Sequence, residues 1–492
     1  MAAEDQLPIF HVVGFTGHRQ LENRARVEQA LLEVLTGLRA EQGVEWLALS
    51  SVAAGSDMVF ARTALRLGLG WEAILPMPPV EFRHDFADEE WRTVETLLAE
   101  AEQVRVIGER SQRDDAYLDC GMDTVNHCDL LLAVWDGEPA RGRGGTAEIV
   151  AYAREMDLPI IIIDSETLRV RRENFERLKT GDRHLEFFNQ LAPAPAGAPD
   201  TMPGRTRVYE FQRKLDYIAT HHGPNFRRLT AITVWLHVLA TTLAAATIAF
   251  GLHLAILPWA KFLCLIAALG VAMVLKNHRD QTDWVRCRLG AEIARSALAT
   301  WGLPRALRLF DDFDWAGLEP LRRSLDVLQR RATRMSPASF DLFKQRYVAE
   351  RIDGQLSYFA RQESRAVPQL LRLRLGFFIS TTAALVCTAL YALTTLLPGH
   401  KNPAWMQAWF FDFAPIVLPV LAASFLSLVS INDLHRRVAR YKEMRIRLGA
   451  ARKEAMFVQT WGSLERVVVK TERVLLQEVF EWNSITSFSE SH

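Results

Sequence analysis

The residues best placed to do chemistry in this chain lie in three glycine-bearing turns. The first reads Gly14-Phe15-Thr16-Gly17-His18-Arg19. Its glycines let backbone approach a ligand closely, and Thr16 and Arg19 can address phosphate or ribose. The second runs from Ser50-Ser51 to Gly55-Ser56-Asp57, where a helix opens and offers free N–H groups to an anion. The third follows Asp136-Gly137 and reads Gly142-Arg143-Gly144-Gly145-Thr146-Ala147-Glu148. One such turn would mark only a tight bend needing glycine. Three at strand ends of one sheet favour a binding site for a phosphate- and ribose-bearing ligand.

The surrounding pattern explains how these turns are positioned. Ile9–Phe15, Trp46–Ser50, Glu72–Leu75, Val104–Ile107, Leu130–Trp135 and Ile160–Asp164 read as strands. Arg26–Gln42, Ser56–Leu69, Glu89–Glu100 and Thr146–Asp157 read as helices between them. Alternation of this kind predicts an α/β, Rossmann-like domain with a parallel, doubly wound sheet covered on both faces. Ligands bind such sheets beyond the carboxyl ends of the strands, where the three turns fall. Asp114 and Asp115 are expected to cap the helix after them, and residues 165 to 191 read as a solvated helical extension.

The chain has 492 residues, with 58 Lys plus Arg balancing 58 Asp plus Glu. The length implies two or three domains, and the charge balance argues against a polybasic nucleic-acid binder. At 49% hydrophobic and 24% charged residues, wholesale disorder is excluded. Cys120, Cys128, Cys264, Cys287 and Cys387 form no CxxC pair, which argues against a zinc ribbon or disulfide framework and for a reducing compartment. His18, His84 and His127 lack the spacing of a helical metal pair and read as loop or surface residues, so no metal site is expected. The start, MAAEDQLPIF, is acidic without a long apolar run, so no cleavable signal peptide is expected.

From Leu229 to Ala260 the chain carries no Asp, Glu, Lys or Arg, and Phe262 to Leu275 is again apolar. Leu375 to Leu397 and Phe413 to Asn432 form a second such pair. Some twenty apolar residues span a bilayer core, so the pattern predicts membrane helices at about 229–250, 256–275, 375–397 and 413–432, in two hairpins. Arg227, Arg228, Lys276, Arg279, Arg372, Arg374, Arg436, Arg437 and Arg440 flank their outer ends, while Lys401 is the one basic residue of the hairpin loops. The bias places both termini and the 276–374 segment on the cytoplasmic side. His237 and His253 are read as packing or interfacial residues.

The segment APAPAGAPDTMPGRTR, from Ala192 to Arg207, is a semi-extended spacer. Beyond it the chain looks duplicated. Leu215-x-Tyr217-x-Ala219 and Leu356-x-Tyr358-x-Ala360 precede the hairpins; RxRLGA follows each, at 286–291 and 445–450, and Thr-Trp-Gly trails at 300–302 and 460–462. The resulting domains are 1–190, the linker 191–208, and repeated units 209–335 and 336–492. Helices are expected over Asp280–Trp301, Phe340–Gln362 (capped near Ser339) and Leu434–Phe480, their apolar stripes requiring a covering helix in this chain or a neighbouring subunit. Glu292 can pair with Arg288 or Arg295.

The motifs GFTGHR, Ala-Gly-Ser-Asp at 54–57, LPMPPVEF at 75–82 and GGTAE at 144–148 resemble the SMF/DprA–LOG (SLOG) superfamily over about residues 8–165. The resemblance implies a nucleotide-binding domain with a pocket lined by Gly14, Thr16, Gly17, Arg19, Ser50, Gly55, Ser56, Asp57, Gly144, Gly145, Thr146 and Glu148. Its hydrolase branch carries PGGxGTxxE, whereas Ile149 stands here at the place of the catalytic carboxylate and Arg141 at that of the proline. An apolar side chain cannot activate water, so no catalytic residue is expected and binding without turnover is favoured.

The hairpin, RxRLGA and the Glu472–Trp482 stretch resemble the SMODS and SLOG-associating two-transmembrane effectors (SLATT) over about residues 209–485. This implies a multi-pass protein of the bacterial inner membrane, acting in anti-phage conflict. A nucleotide second messenger would trigger a homo-oligomer to open a pore or disrupt the lipid bilayer, with no further cofactor and no nucleic-acid partner. The alternatives are a membrane-tethered nucleotide hydrolase of the LOG type and a transporter.

Overall fold

The computed structural model describes residues 5–40, 43–108, 113–139, 142–179, 181–200, 202, 204–252, 254–275, 279–304, 317–335, 338–396 and 402–488. The chain divides into two compact units, Met1–Pro193 with Gly197–Phe211 and Trp301–Pro337, and Ala194–Ala196 with Gln212–Thr300 and Ala338–His492.

The first unit alternates strand and helix in the expected way. Its elements are β1 (Ile9–Gly17), α1 (Arg24–Arg39), β2 (Val44–Ser50), α2 (Ser56–Arg66), β3 (Gly70–Leu75), α3 (Pro79–Phe82), α4 (Asp88–Glu100) and β4 (Gln103–Val106). There follow α5 (Arg113–Asn126), β5 (Leu130–Trp135), α6 (Thr146–Glu155), β6 (Ile160–Asp164), β7 (Val170–Glu173) and α7 (Arg183–Gln190). The sheet has the order β4-β3-β2-β1-β5-β6-β7; β1 to β6 run parallel and β7 antiparallel. Strand order reverses beside β1, so β1 and β5 flank the switch point where such sheets bind ligands.

The segment after β6 is corrected. Residues 165–191 are not one helical extension. Asp164 Oδ1 accepts from the amides of Glu166 and Thr167, at 3.0 and 2.7 Å, and this turn sends Val170–Glu173 back along β6 as an edge strand. Among the described residues of this segment, Phe175–Arg177 makes a single 3-10 turn and Arg183–Gln190 forms an α-helix, capped by the Asp182 carboxylate.

The remaining helices are α8 (Thr206–Ala249), α9 (Ile256–Leu275), α10 (Arg279–Ala299), α11 (Glu319–Met335), α12 (Phe340–Arg346), α13 (Gly354–Thr395), α14 (Ala404–Met406), α15 (Ala414–Ile431), α16 (Leu434–Phe457) and α17 (Trp461–Phe488). Among the described residues, four helical stretches are long and apolar enough to cross a membrane: Arg228–Ala249, Ile256–Val274, Phe340–Thr395, which contains α13, and Ala404–Phe457, which contains α15. Ile232, Leu263, Phe378 and Leu426 remain 46%, 62%, 63% and 56% exposed along them, a surface that hydrocarbon rather than water would cover. The hairpins pack on each other: Trp235 of α8 meets Phe425 of α15, and Phe250 meets Trp409 edge to face with centroids 4.7 Å apart. His253, Arg141 and Ser336 lie outside the described residues.

The expected helix Leu434–Phe480 is interrupted, because the chain leaves α16 at Val458 and Thr460 Oγ1 accepts from the Ser463 amide to start α17. The helix begun at Phe340 passes through a π-helical turn, Tyr347–Asp353, straight into α13. Ser339 caps its start, as expected. The stripes of α16 and α17 are covered within the chain, where Phe359, Tyr441, Met444, Leu448 and Leu475 form one cluster.

The largest departure concerns α11. The sequence places it in the first membrane unit (209–335), but it packs in the α/β unit. Helices α1, α2 and α4 cover one face of the sheet, around Val13, Phe15, Trp46 and Ala48. On the other face α5 and α6 lie over the β1–β5–β6 side, and Val327 of α11 completes the cluster with Phe10, Val12, Leu47, Leu49 and Ile74. Ion pairs fix the helix there: Arg330 Nη2 to Glu72 Oε1 at 2.6 Å, Arg331 Nε to Glu102 Oε1 at 2.9 Å, and Arg323 to Asp129. Arg334 donates to the carbonyls of Ala99, Glu100 and Ala101 at the end of α4.

Candidate functional site

The three turns converge around the carboxyl ends of β1 and β5. His18, the residue after β1, has Nε2 3.0 Å from Asp136 Oδ1 and 3.1 Å from the Asp136 amide, so it clasps the two strands across the switch point. The same residue receives α2: Ser56 donates to the His18 carbonyl from both its amide, at 3.1 Å, and its hydroxyl, at 2.9 Å. Gly55 has φ +92, and a Cβ there would strike the Arg19 carbonyl, so only glycine allows this approach. Gly17 likewise faces Ser56 with no room for a methyl group.

Arg19 then leads to the third turn. Its guanidinium stacks 4.7 Å from the Tyr117 ring of α5. Gly144, at φ +73, lies against the backbone of Tyr117 and Leu118, where a Cβ would come within 2.6 Å of the Leu118 nitrogen. The Glu148 carboxylate turns back to accept from the Gly144 amide at 2.7 Å, so one of its oxygens shapes the loop. Gly145 precedes α6 and Thr146 is buried at its start. Gly17, Arg19, Gly55, Ser56, Asp57, Gly144 and Glu148 are therefore brought into one region.

The other candidates sit differently. Gly14 is a packing residue, since a Cβ would come within 2.7 Å of Cys128 Sγ beneath α5. Thr16 is half-buried on β1 in register with Ala133. Ser50 is fully buried and accepts from the Val52 amide at 3.3 Å. Ile149 is 1% exposed and packs on Gly121 in the core, which leaves no carboxylate at that position.

Three features of the site go beyond what its sequence motifs show. Asp57 is 3% exposed and accepts from Ser51 Oγ at 2.8 Å. Burial pushes its carboxyl up to about 7, against the Ser51 hydrogen bond and the nearby Arg19 charge. Val52, between Ser51 and Gly55, adopts φ 56, a costly conformation for a β-branched residue and one that clusters at functional sites. Tyr117 bonds Asp85, which also holds Arg113 at 2.6 Å; burial and then the Asp85 carboxylate raise the phenol well above its ordinary range. The Ala-Gly-Ser-Asp motif already marks Asp57, but its weakened acidity, the strained turn at Val52 and the Tyr117–Asp85 bond emerge only in three dimensions.

The arrangement offers a guanidinium, two helix starts, a buried carboxyl near neutrality and backbone kept bare by glycine. That set suits a phosphate-bearing ligand with a polar sugar. No protein-family model matches this chain, and no curated protein matches it.

Proposed function

We propose that this protein is a membrane effector whose α/β domain binds a nucleotide-derived signal, of NAD or ADP-ribose type, at the β1–β5 switch point. Binding shifts the population of an oligomeric membrane state, and the paired hairpins open a pore or disrupt the bilayer. The observation that carries this reading is the convergence of Arg19, Ser56, Asp57 and the Gly144 loop in a chain that also has four helices fit to cross a membrane. The resemblances to SLOG and SLATT proteins support it and imply a bacterial inner membrane, and the basic residues at the outer ends of the spans support cytoplasmic termini. Burial of Ile149 favours binding over hydrolysis.

One observation favours a second reading, a membrane-tethered nucleotide hydrolase: a carboxyl titrating near 7 suits general acid–base chemistry. A single experiment separates the two. Full-length protein in detergent is titrated with NAD, ADP-ribose and their cyclic forms by calorimetry, and the nucleotide is recovered and chromatographed. Saturable binding with the ligand intact, lost in Arg19→Ala, together with ligand-dependent dye leakage from liposomes, supports the effector. Conversion of the ligand makes the protein a hydrolase, and absence of binding removes both.

A further inference from the structure

The first membrane helix carries an imidazole at mid-depth. His237 lies nine residues from Arg228 and twelve from Ala249, the ends of the first span. At 1.5 Å per residue these are about 14 and 18 Å, the middle of a hydrocarbon core about 30 Å thick. The residue is neither interfacial nor packed, since its side chain is exposed on the outer surface of α8.

One ring nitrogen is satisfied and the other is not. Nδ1 is 2.8 Å from the Thr233 carbonyl. A carbonyl only accepts, so Nδ1 carries the hydrogen and the neutral ring presents a lone pair at Nε2. Among the described residues nothing donates to that atom. Acyl chains offer no donor, and polar groups left unmet in hydrocarbon are costly; intramembrane ionisable side chains therefore face a bundle interior or water. The rest of this face is built for close approach. Thr233, Thr241 and Ala244 lie with His237 on one side of α8 by helical spacing. Both hydroxyls turn onto their own helix, Thr233 to the Leu229 carbonyl and Thr241 to the His237 carbonyl. The helix buries a different face, through Val238 and Ala245. The first hairpin is also the less covered one: 6% of the apolar stretch in Ile256–Val274 is buried, against 28% in Ala404–Phe457.

We propose that the Thr233–His237–Thr241 face of α8 is the seam at which copies of this chain meet in the membrane. Copies inserted in the same sense are related by rotation about the bilayer normal, which brings each residue to the same depth in the next copy. A second copy therefore supplies another His237 at the one depth where a polar partner is needed. The two Nε2 lone pairs face each other, and one water donating to both satisfies them. The small side chains on either side let the helices approach closely. This seam rests on the membrane part of the effector reading and names the surface on which its assembly forms; it needs neither a nucleotide nor a pore.

The test uses the full chain in liposomes of phosphatidylethanolamine and phosphatidylglycerol, without nucleotide. Copies labelled at the carboxyl terminus with donor or acceptor dye are followed by energy transfer as lipid is added. Leucine suits hydrocarbon better than imidazole, so a merely lipid-facing site would lose nothing in His237→Leu. Self-association should instead fall about tenfold or more in that variant, while His237→Asn keeps most of it. Thermal unfolding shows whether His237→Leu folds, and a cysteine pair decides the matter if it does not. Thr241→Cys should give disulfide-linked dimers on oxidation above the wild-type background. Leu239→Cys, 48% exposed and about 160° away round the helix, should not. A monomeric wild type, association unchanged in His237→Leu, or equal cross-linking at 239 and 241 overturns the proposal. Nucleotide binding and leakage are not read in this experiment, so their failure counts against the effector and not against the seam.

Discussion

Arg351 and Glu472 meet in the interior of the membrane unit, Nη2 to Oε2 at 2.6 Å, with 3% and 0% of their side chains exposed. Ser296 Oγ and Tyr347 OH donate to the same carboxylate, each at 2.8 Å, and Arg351 reaches on to Glu292. Burial alone would make Arg351 less basic, but the charges of Glu472 and Glu292 outweigh it and hold the guanidinium protonated. The network ties α10, which follows the first hairpin, to α17, which follows the second, through the π-helical turn that carries Arg351.

Glu472→Gln should therefore be costly, because it leaves a buried guanidinium short of a counter-charge; the loss expected is about 3–5 kcal/mol. Thermal unfolding in detergent measures it. Arg351→Met/Glu472→Met should recover much of that loss, since it removes both charges together. Equal loss in the single and double variants would show that the pair is not coupled.

Asp57 sets a pH dependence. Its folded pKa of about 7 exceeds the ordinary 3.8, so between these values the folded chain holds a proton that the unfolded chain has released. Stability from this group is thus present at low pH and lost as pH rises through 7; the full difference is about 4 kcal/mol at most. Asp57→Asn should be more stable than wild type at pH 8 and lose that advantage toward pH 5. Unfolding midpoints across this range decide it, and parallel curves would refute the assignment.

Gly55→Ala and Gly144→Ala should each cost on the order of 1–3 kcal/mol through strained backbone. Both press a methyl group onto backbone, of Arg19 and of Leu118 respectively. Nucleotide affinity should fall with them, whereas Gly43→Ala, also at positive φ but in open space, should spare affinity.

The role of α11 can be tested by its removal. A chain ending at residue 193 lacks the helix over Phe10, Leu47, Leu49 and Ile74, and each large apolar side chain so uncovered is worth about 1.5–3 kcal/mol. It should melt lower than the α/β unit of the full chain and bind hydrophobic dye. A synthetic peptide of residues 317–335 should restore the midpoint, while the same peptide carrying Val327→Asp should not.

Much of the architecture was legible because its signals are local. Uncharged runs marked the four spans, and short apolar runs closed by glycine marked the parallel strands. The home of α11 was not legible. Leu321, Leu325 and Val327 announce a face that must be covered, but its partners Phe10 and Leu47 lie far away in sequence and carry no matching label. The edge strand Val170–Glu173 was hidden for a related reason, since its residues are largely exposed and lack alternation. In the candidate site the glycine turns could be read directly. The acidity of Asp57 and the stack of Arg19 on Tyr117 arise only when separate elements fold together.

The placement of α11 also fixes an order of events during synthesis. Domains generally fold as they leave the ribosome, amino-terminal ones first. Here the sheet's second face cannot close until Glu319–Met335 has been made, after both helices of the first hairpin have left the ribosome. Until then Phe10, Leu47, Leu49 and Ile74 await their cover. Completion of the α/β unit thereby reports that the first hairpin has already been made. A cut anywhere between residues 211 and 317 parts the sheet from its own wall.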